Sequence, residues 1–232
     1  MTPISLGSEE SHQETLGNLA RGYVVLITGQ TAAGKDTLAL NILEACPPEC
    51  RPGGFINTGD IFETRIPEFS PDIRERLRVI KDSGRLQHPG IDSALVTDAV
   101  LCGWEKDRLL VIGGSPCSAR EANFLHSFIV RFLDKRIFLV HLTIDEDLAI
   151  ERILHRNKQE GLAGGPQRTD TQDLASIRNK LAYHESKVVP AVDEMDRKER
   201  VQIARIHVVR GMSPKAVFGR VMGLAPIFER AR

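Results

Sequence analysis

The stretch GQTAAGKDT, residues 29 to 37, constrains the fold of this 232-residue chain more than any other feature. It fits the pattern GxxxxGK, follows the β-branched run YVVLIT and opens the helical pattern GKDTLALNILEA. Such a turn directs its backbone N–H groups and the helix N-terminus at one point, where an anion binds. Gly29 and Gly34 let the backbone approach phosphates closely, and Lys35 can reach the outer phosphates as a mobile cation. The stretch therefore predicts a loop that binds nucleotide phosphates.

Asp36 stands directly after the lysine, where such loops usually present a hydroxyl to Mg²⁺. Thr37 follows at once and can supply that hydroxyl. A carboxylate in the first turn of a helix is stabilised by the positive end of the helix dipole, which gives Asp36 a structural role. The alternative is that Asp36 helps to hold Mg²⁺, mostly through water. The sequence leaves both roles open.

Five short apolar runs rich in β-branched residues occur along the chain, and a helical pattern follows each of them. Strands that are apolar on both faces and alternate with helices are typical of a parallel sheet covered on both sides. We therefore predict an α/β fold, a P-loop three-layer sandwich with a five-stranded parallel sheet and helices on both faces. Asp92 and Ser213 occupy positions typical of helix N-caps. The predicted strands are residues 23–29, 55–57, 109–114, 137–144 and 201–209.

The composition argues against several classes of protein. Lys and Arg number 31, and so do Asp and Glu, so nothing indicates a protein that binds nucleic acid or a membrane surface. The longest apolar runs are far shorter than the roughly 20 residues that cross a bilayer. Residues 1–21 are polar and lack the regions of a secretory signal. We expect a cytoplasmic monomer with a small-molecule partner, a flexible extension at residues 1–21 and one P-loop domain at residues 22–232.

Further segments, in their order along the chain, resemble those of adenylate kinases and related nucleoside monophosphate kinases. The loop itself has the family's GK-x-T ending, and the likeness covers about residues 22 to 228. Individually only the loop is specific, whereas the ordered set carries the resemblance. The other matching segments are FINTGDIF (55–62), KDSGRLQHPGIDSALVTDAV (81–100), VIGGSPCSAREANFL (111–125), ERILHR (151–156), QRTDT (167–171), IRNKLAYHESKVVPAVDEM (177–195) and HVVRGMSP (207–214).

The resemblance implies a nucleoside monophosphate kinase that uses ATP and Mg²⁺, with a helical monophosphate-binding insert at residues 58–90 and a short lid at residues 156–169. Phosphoryl transfer depends on positioning and on stabilising charge, so cations that arrive with a closing lid suit it. The implied catalytic residues are Lys35, Arg152, Arg156, Arg168 and Lys180. The implied ATP-binding residues are Gly29, Ala32, Ala33, Gly34, Lys35, Asp36, Thr37, Arg156 and Gly211, with Thr37 at the metal. The implied acceptor-binding residues are Thr58, Gly59, Arg85, Gln87, Gly114 and Glu121.

Several positions depart from the family pattern. Glu63 and Cys117 stand where the family has the two arginines that clamp the acceptor phosphate, and neither can replace a bidentate guanidinium. Gly113 replaces an aspartate, Glu121 a glutamine and Lys180 an arginine. Neighbouring arginines offer substitutes for the clamp by hypothesis. They are Arg65, Arg74, Arg76 and Arg120.

The donor half of the predicted site is thus kept and the acceptor half is altered. The leading interpretation is a kinase that transfers the γ-phosphoryl group of Mg·ATP to a nucleoside monophosphate. A second is a kinase of another phosphorylated small molecule, because loops with GKD followed by Ser or Thr also occur in such enzymes. A third is an ATP-binding regulatory or scaffold protein with weak catalysis, which the residues at positions 63, 113 and 117 favour.

Overall fold

The computed structural model describes residues 9–51, 55–82, 88–105, 107–162 and 173–226. Within these ranges the chain forms a five-stranded, all-parallel sheet in the order β2-β3-β1-β4-β5. The strands are β1 Tyr23–Gly29, β2 Ile56–Asn57, β3 Leu110–Gly113, β4 Arg136–Ile144 and β5 Val201–Val208. All five lie where the apolar runs predict them.

Helices connect the strands and cover both faces of the sheet. No described helix is both long and apolar enough to cross a membrane. The α-helices are α1 Glu9–Gly22, α2 Lys35–Ala45, α3 Thr58–Arg65, α4 Pro71–Asp82, α5 Pro89–Gly103, α6 Ala119–Ser127, α7 Glu146–Leu162, α8 Leu174–Tyr183, α9 Val189–Asp196 and α10 Pro214–Leu224. Single π-helical turns extend α6, at Phe128–Phe132, and separate α8 from α9, at His184–Val188.

The central strand β1 shows why the sheet has three layers. Val25 and Ile27 are fully buried in a core with side chains of α1, α2 and α10. Val24 and Leu26, on the opposite face, are fully buried with side chains of α5, α6 and α9. Because successive side chains of a strand point to opposite faces, a strand that is apolar throughout needs cover on both sides. The predicted three-layer P-loop sandwich is confirmed.

The expectation of a flexible extension at residues 1–21 is corrected for residues 9–21, which belong to helix α1. Leu16, Leu19 and Ala20 are fully buried in the core, at the i, i+3 and i+4 spacing of one helix face. The buried Lys135 donates from Nζ to the carbonyl oxygens of Ala20, at 3.1 Å, and Arg21, at 2.7 Å. A cation at the last carbonyls of a helix stabilises its C-terminus, so α1 is fixed to the sheet.

One of the two predicted N-caps is wrong. Ser213 caps α10, since its Oγ accepts a hydrogen bond from the N–H of Ala216 at 3.1 Å. Asp92 lies inside the first turn of α5, whose cap is His88. The His88 Nδ1 accepts from the N–H of Gly90 at 3.2 Å, and Pro89 takes the first helical position, which proline favours.

The predicted monophosphate-binding region forms a small hydrophobic cluster of its own. Phe62, Ile66 and Leu77 are buried together, and Ile91 and Leu95 of α5 pack against them. Within the predicted lid, residues 156–162 are the last turns of α7. The remainder of the lid, together with residues 83–87 of the monophosphate-binding region, falls outside the described residues. The boundaries of both regions stay predictions.

Candidate active site

The loop between β1 and α2 lies at the carboxyl edge of the sheet, where β1 ends between β3 and β4. Gly29 pairs with Leu142 of β4, and a Cβ atom at Gly29, where φ is 140°, would collide with the Leu142 carbonyl. Gly34 leads into α2 with φ at 96°, and no described atom lies within 4 Å of a Cβ built there. Between them Ala32 has φ at 65° and Ala33 is buried. The loop has the strand-to-helix geometry that its motif predicts.

The ammonium group of Lys35 lies against the backbone of the loop. Its Nζ donates hydrogen bonds to the carbonyl oxygens of Gly29, at 3.0 Å, and Gln30, at 2.8 Å. Burial lowers the pKa of Lys35, and the charge of Asp36 opposes that effect. A partly buried cation whose hydrogen bonds go to neutral carbonyls gains from an anionic partner. The loop is therefore suited to an anion such as a phosphate group.

Three other predicted cations lie close to the loop. Arg152 of α7 donates from Nη1 to the carbonyl oxygen of Ala32 at 3.2 Å. After the larger effect of burial, the charges of Lys180 and Arg156 also lower the pKa of Lys35, which places both within electrostatic range of its ammonium group. The structure thus brings four of the five predicted catalytic residues together. The fifth, Arg168, and the predicted acceptor-binding residues Arg85 and Gln87 fall outside the described residues.

Asp36 and Thr37 are exposed in the first turn of α2, beside the loop. The Oδ1 of Asp36 accepts a hydrogen bond from Nδ2 of Asn57 at 3.3 Å. Among the described residues no group of three or more His, Cys, Asp or Glu side chains could hold a metal ion. Mg²⁺ in nucleotide sites needs only one or two protein oxygen ligands, because phosphates and water complete its shell. The carboxylate of Asp36 and the hydroxyl of Thr37 are oxygen ligands of the kind that such an ion takes.

The ends of β2 and β3 meet next to the loop. Thr58, the first residue of α3, lies so close to Gly114, where φ is 85°, that a Cβ atom at Gly114 would collide with the Thr58 hydroxyl. Asn57 caps α3 through Oδ1, which accepts from the N–H groups of Gly59, at 2.9 Å, and Asp60, at 3.4 Å. The predicted acceptor residues Thr58, Gly59 and Gly114 therefore form one contiguous edge. Gly211 lies apart in the turn between β5 and α10, with φ at 80°.

Glu121 is almost fully buried, with 2% of its surface exposed. Its Oε1 accepts a hydrogen bond from the Ser115 hydroxyl and its Oε2 accepts from the N–H of Cys117, both at 2.6 Å. Burial raises the pKa of Glu121 to about 7, against the effect of these two hydrogen bonds. Both oxygens thus hold the 115–117 loop in place. Contact between Glu121 and an acceptor base stays a prediction.

Cys117 faces the backbone of its own loop. Its thiol donates to the carbonyl oxygen of Gly114 at 2.7 Å, and its own carbonyl accepts from the hydroxyl of Tyr183 at 3.2 Å. Burial raises the pKa of the Cys117 thiol, and the charge of Glu121 adds to that effect. A neutral thiol that bonds inward supplies no positive charge at the position of the family's arginine.

The arginines suggested as substitutes for the acceptor clamp lie at different places. Arg65 forms ion pairs with Asp98 of α5, at 3.0 Å, and with Glu68, at 3.4 Å. Arg120 is exposed and lines a cleft of about 620 Å³ between α5 and α6. Arg74 and Arg76 lie on α4. The guanidinium group of Arg65 is directed at Asp98 and Glu68, and its role as a substitute for the arginine missing at Glu63 stays a hypothesis.

Two contacts near the site were not expected from the sequence. Asn57 precedes the predicted TGD segment as helix caps do, so its capping role had a recognisable signal. His184 and His141 had none. His184, at the start of the π-helical turn, and His141, on β4, are both buried, and their Nε2 atoms are 2.9 Å apart. The bond fastens the end of α8, which carries Lys180, to the strand beside the loop.

No protein-family model matches the chain. The chain is similar to adenylate kinases. It is 24% identical over 187 residues to that of Synechococcus sp., covering 77% of this chain and 85% of the relative. It is 26% identical over 168 residues to that of Bartonella bacilliformis, with 72% and 82% covered. With that of Tropheryma whipplei it shares 28% identity over 174 residues, with 72% and 84% covered. These are distant relatives, and the similarity covers more than four fifths of each.

Proposed function

We propose that this chain, a distant relative of the adenylate kinases and a phosphotransferase, transfers the γ-phosphoryl group of Mg·ATP to a nucleoside monophosphate. The proposal depends above all on one observation, that Arg152 donates a hydrogen bond to the loop that carries Lys35, while the charges of Lys180 and Arg156 act on the same ammonium group. Cations that lie near an anion-binding loop attract anionic ligands, and the phosphates of a nucleotide are ligands of this kind.

The residues have distinct roles in the proposed reaction. The backbone of the loop and Lys35 bind the β- and γ-phosphates, as in other P-loop proteins. Arg152 and Arg156, four residues apart on one face of α7, and Lys180 of α8 stabilise the charge of the transferring group. Mg²⁺ supplies further charge stabilisation when it is bound. No general base is needed, because an acceptor phosphate is already ionised at neutral pH.

The altered acceptor half favours a second candidate within the same enzyme class. Cys117 bonds inward to Gly114, and Glu63 is exposed on α3, so neither adds a cation for an acceptor phosphate. A kinase of another phosphorylated small molecule, which holds its phosphate differently, suits these residues. The third candidate is a regulatory or scaffold protein that binds ATP and transfers phosphate weakly.

A coupled assay of ADP formation separates these candidates. ATP is supplied with a panel of nucleoside monophosphates and, in parallel, with phosphorylated sugars, and binding of ATP is measured by calorimetry. We expect turnover with at least one monophosphate and a loss of about 10³-fold or more in Lys35→Met. Lys215→Met, at an exposed lysine of α10, is the matched control and should keep full activity.

Each outcome of the assay points to one candidate. Turnover with sugar phosphates alone would favour the second, and ATP binding with no turnover on any acceptor would favour the third. A protein that does not bind ATP would contradict all three.

A further inference from the structure

The side chain of Asn57 connects two elements that the chain brings together from 21 residues apart. Its Oδ1 is used by the N-terminus of α3, where it accepts from Gly59 and Asp60. The other end of the amide, Nδ2, is a hydrogen-bond donor, and it donates to Oδ1 of Asp36 at 3.3 Å. The Asp36 carboxylate is thereby turned toward the end of β2, along the carboxyl edge of the sheet.

Folding alone does not require this arrangement. A carboxylate in the first turn of α2 is stabilised by the helix dipole wherever it points. A hydrogen bond of this length between two exposed side chains contributes little to stability, since water competes for both groups. The consequence of the Asn57 bond is orientation, because it directs Oδ1 of Asp36 toward the end of β2.

Other carboxylates at this edge are less suited to a ligand of the loop. Both oxygens of Glu121 are bound to the 115–117 segment, and the residue is 2% exposed. Gly113, where related enzymes have an aspartate, carries no carboxylate. A Cβ atom there would lie 3.2 Å from the ring of Phe55, so the ring fills the space that a longer side chain would need. Asp60 is exposed, and its backbone N–H is the group that donates to Asn57.

Magnesium that accompanies a nucleotide is usually held by one or two carboxylates or hydroxyls together with phosphates and water. Carboxylates that ligate metals are in turn oriented by hydrogen bonds from neighbouring groups. Asp36, which precedes Thr37 in the first turn of α2 and is bonded to the amide of Asn57, has both properties. We propose that the Asp36 carboxylate is an oxygen ligand of the divalent cation bound with the nucleotide, directly or through one water, and that Asn57 is its positioning residue.

The proposal rests on the proposed function in one respect, that nucleotide phosphates bind at the loop. Its test is a binding measurement on the whole chain. The affinity for ADP is determined by calorimetry in the presence of Mg²⁺ and in the presence of a chelator, and the ratio of the two is the effect of the metal. Binding of Mn²⁺ to the protein–ADP complex is measured separately by electron paramagnetic resonance.

In Asp36→Asn we expect Mn²⁺ affinity, and the metal effect on ADP binding, to fall about tenfold or more. Affinity for ADP without metal should stay equal or tighten, because a negative charge near the phosphates is removed. Asn57→Ser keeps a capping oxygen for α3 but lacks the amide donor, so it should weaken Mn²⁺ binding by a smaller factor. Asp72→Asn, at another exposed first-turn aspartate on α4, is the control and should change neither quantity.

Unchanged Mn²⁺ affinity in Asp36→Asn would overturn the proposal while leaving the proposed function intact. Unchanged affinity in Asn57→Ser would remove Asn57 as a positioning residue. If the wild-type protein binds no ADP under either condition, the proposed function itself is contradicted, so the two failures are distinguishable.

Discussion

Gly29 and Gly34 occupy equivalent places in the loop motif, but different physical reasons require glycine at each. At Gly29 contact adds to the effect of a positive φ of 140°, because β4 approaches so closely that any Cβ atom would collide with the Leu142 carbonyl. At Gly34 the limit is the backbone, since φ is 96° and a Cβ atom there would lie in open space among the described residues. The motif predicts both glycines, but only the structure shows that replacing them costs different amounts of stability.

Gly29→Ala is expected to destabilise the protein strongly. The added methyl group must displace backbone of a central strand, which costs about 3 kcal/mol or more. Gly34→Ala should cost about 1–2 kcal/mol, from the left-handed backbone alone. Gly223→Ala, at an exposed position inside α10 with no described atom near its Cβ, should stabilise by about 0.5–1 kcal/mol. Urea unfolding of the three variants gives the free energies of unfolding, and an equal loss in the first two would contradict the argument.

At the scale of elements, the strands were predictable and helix α1 was not. Runs such as YVVLITG are rich in apolar and β-branched residues, which is typical of a parallel strand covered on both faces. The N-terminal segment carries three core residues among polar ones, a short pattern that its acidic residues obscure. The cap of α5 was misplaced for a similar reason, since His88 competes with the more usual capping residue Asp92.

The burial of α1 predicts the effect of shortening one of its side chains. Leu19→Ala removes a fully buried side chain from the main core and should lower the free energy of unfolding by about 2–5 kcal/mol. Leu40→Ala is the matched control, because Leu40 is 50% exposed on α2 and its loss should cost less than about 0.5 kcal/mol. A flexible segment at residues 9–21 would instead give no difference between the two variants in urea unfolding.

For the whole molecule, the sequence predicted the layers and the phosphate loop, but not the contacts that join distant parts of the site. Tyr183 meets Cys117 across 66 residues, and His184 meets His141 across 43. No local sequence pattern predicts such pairs, because each contact depends on how the helices pack against the sheet. Together they fix the end of α8, and with it Lys180, relative to β4 and to the segment that follows β3.

Two buried groups in this part of the molecule make stability depend on pH in opposite directions. Burial lowers the pKa of His141 from 6.5 to about 4, and the neighbouring His184 adds to that effect. The unfolded chain therefore binds this proton first, and its stabilising contribution, full above pH 6.5, is lost as pH falls toward 4. Glu121 has a pKa raised from 4.5 to about 7, so its contribution is full below pH 4.5 and lost as pH rises through 7.

Between pH 6.5 and pH 4.5 the two effects oppose each other, and substitution should separate them. In Glu121→Gln the His141 effect remains, so the free energy of unfolding should fall with acid more steeply than in wild type, by up to about 1.4 kcal/mol per pH unit. In His141→Gln the Glu121 effect remains, and the change should have the opposite sign. Urea unfolding across this range measures both. The packing cost of His141→Gln alone is measured at pH 8, where the imidazole is neutral, and that of Glu121→Gln below pH 4.5, where the carboxyl group is protonated. Parallel pH profiles for wild type and both variants would show that neither buried group governs stability, because removing either proton site must alter the slope if its pKa differs between the folded and unfolded chain.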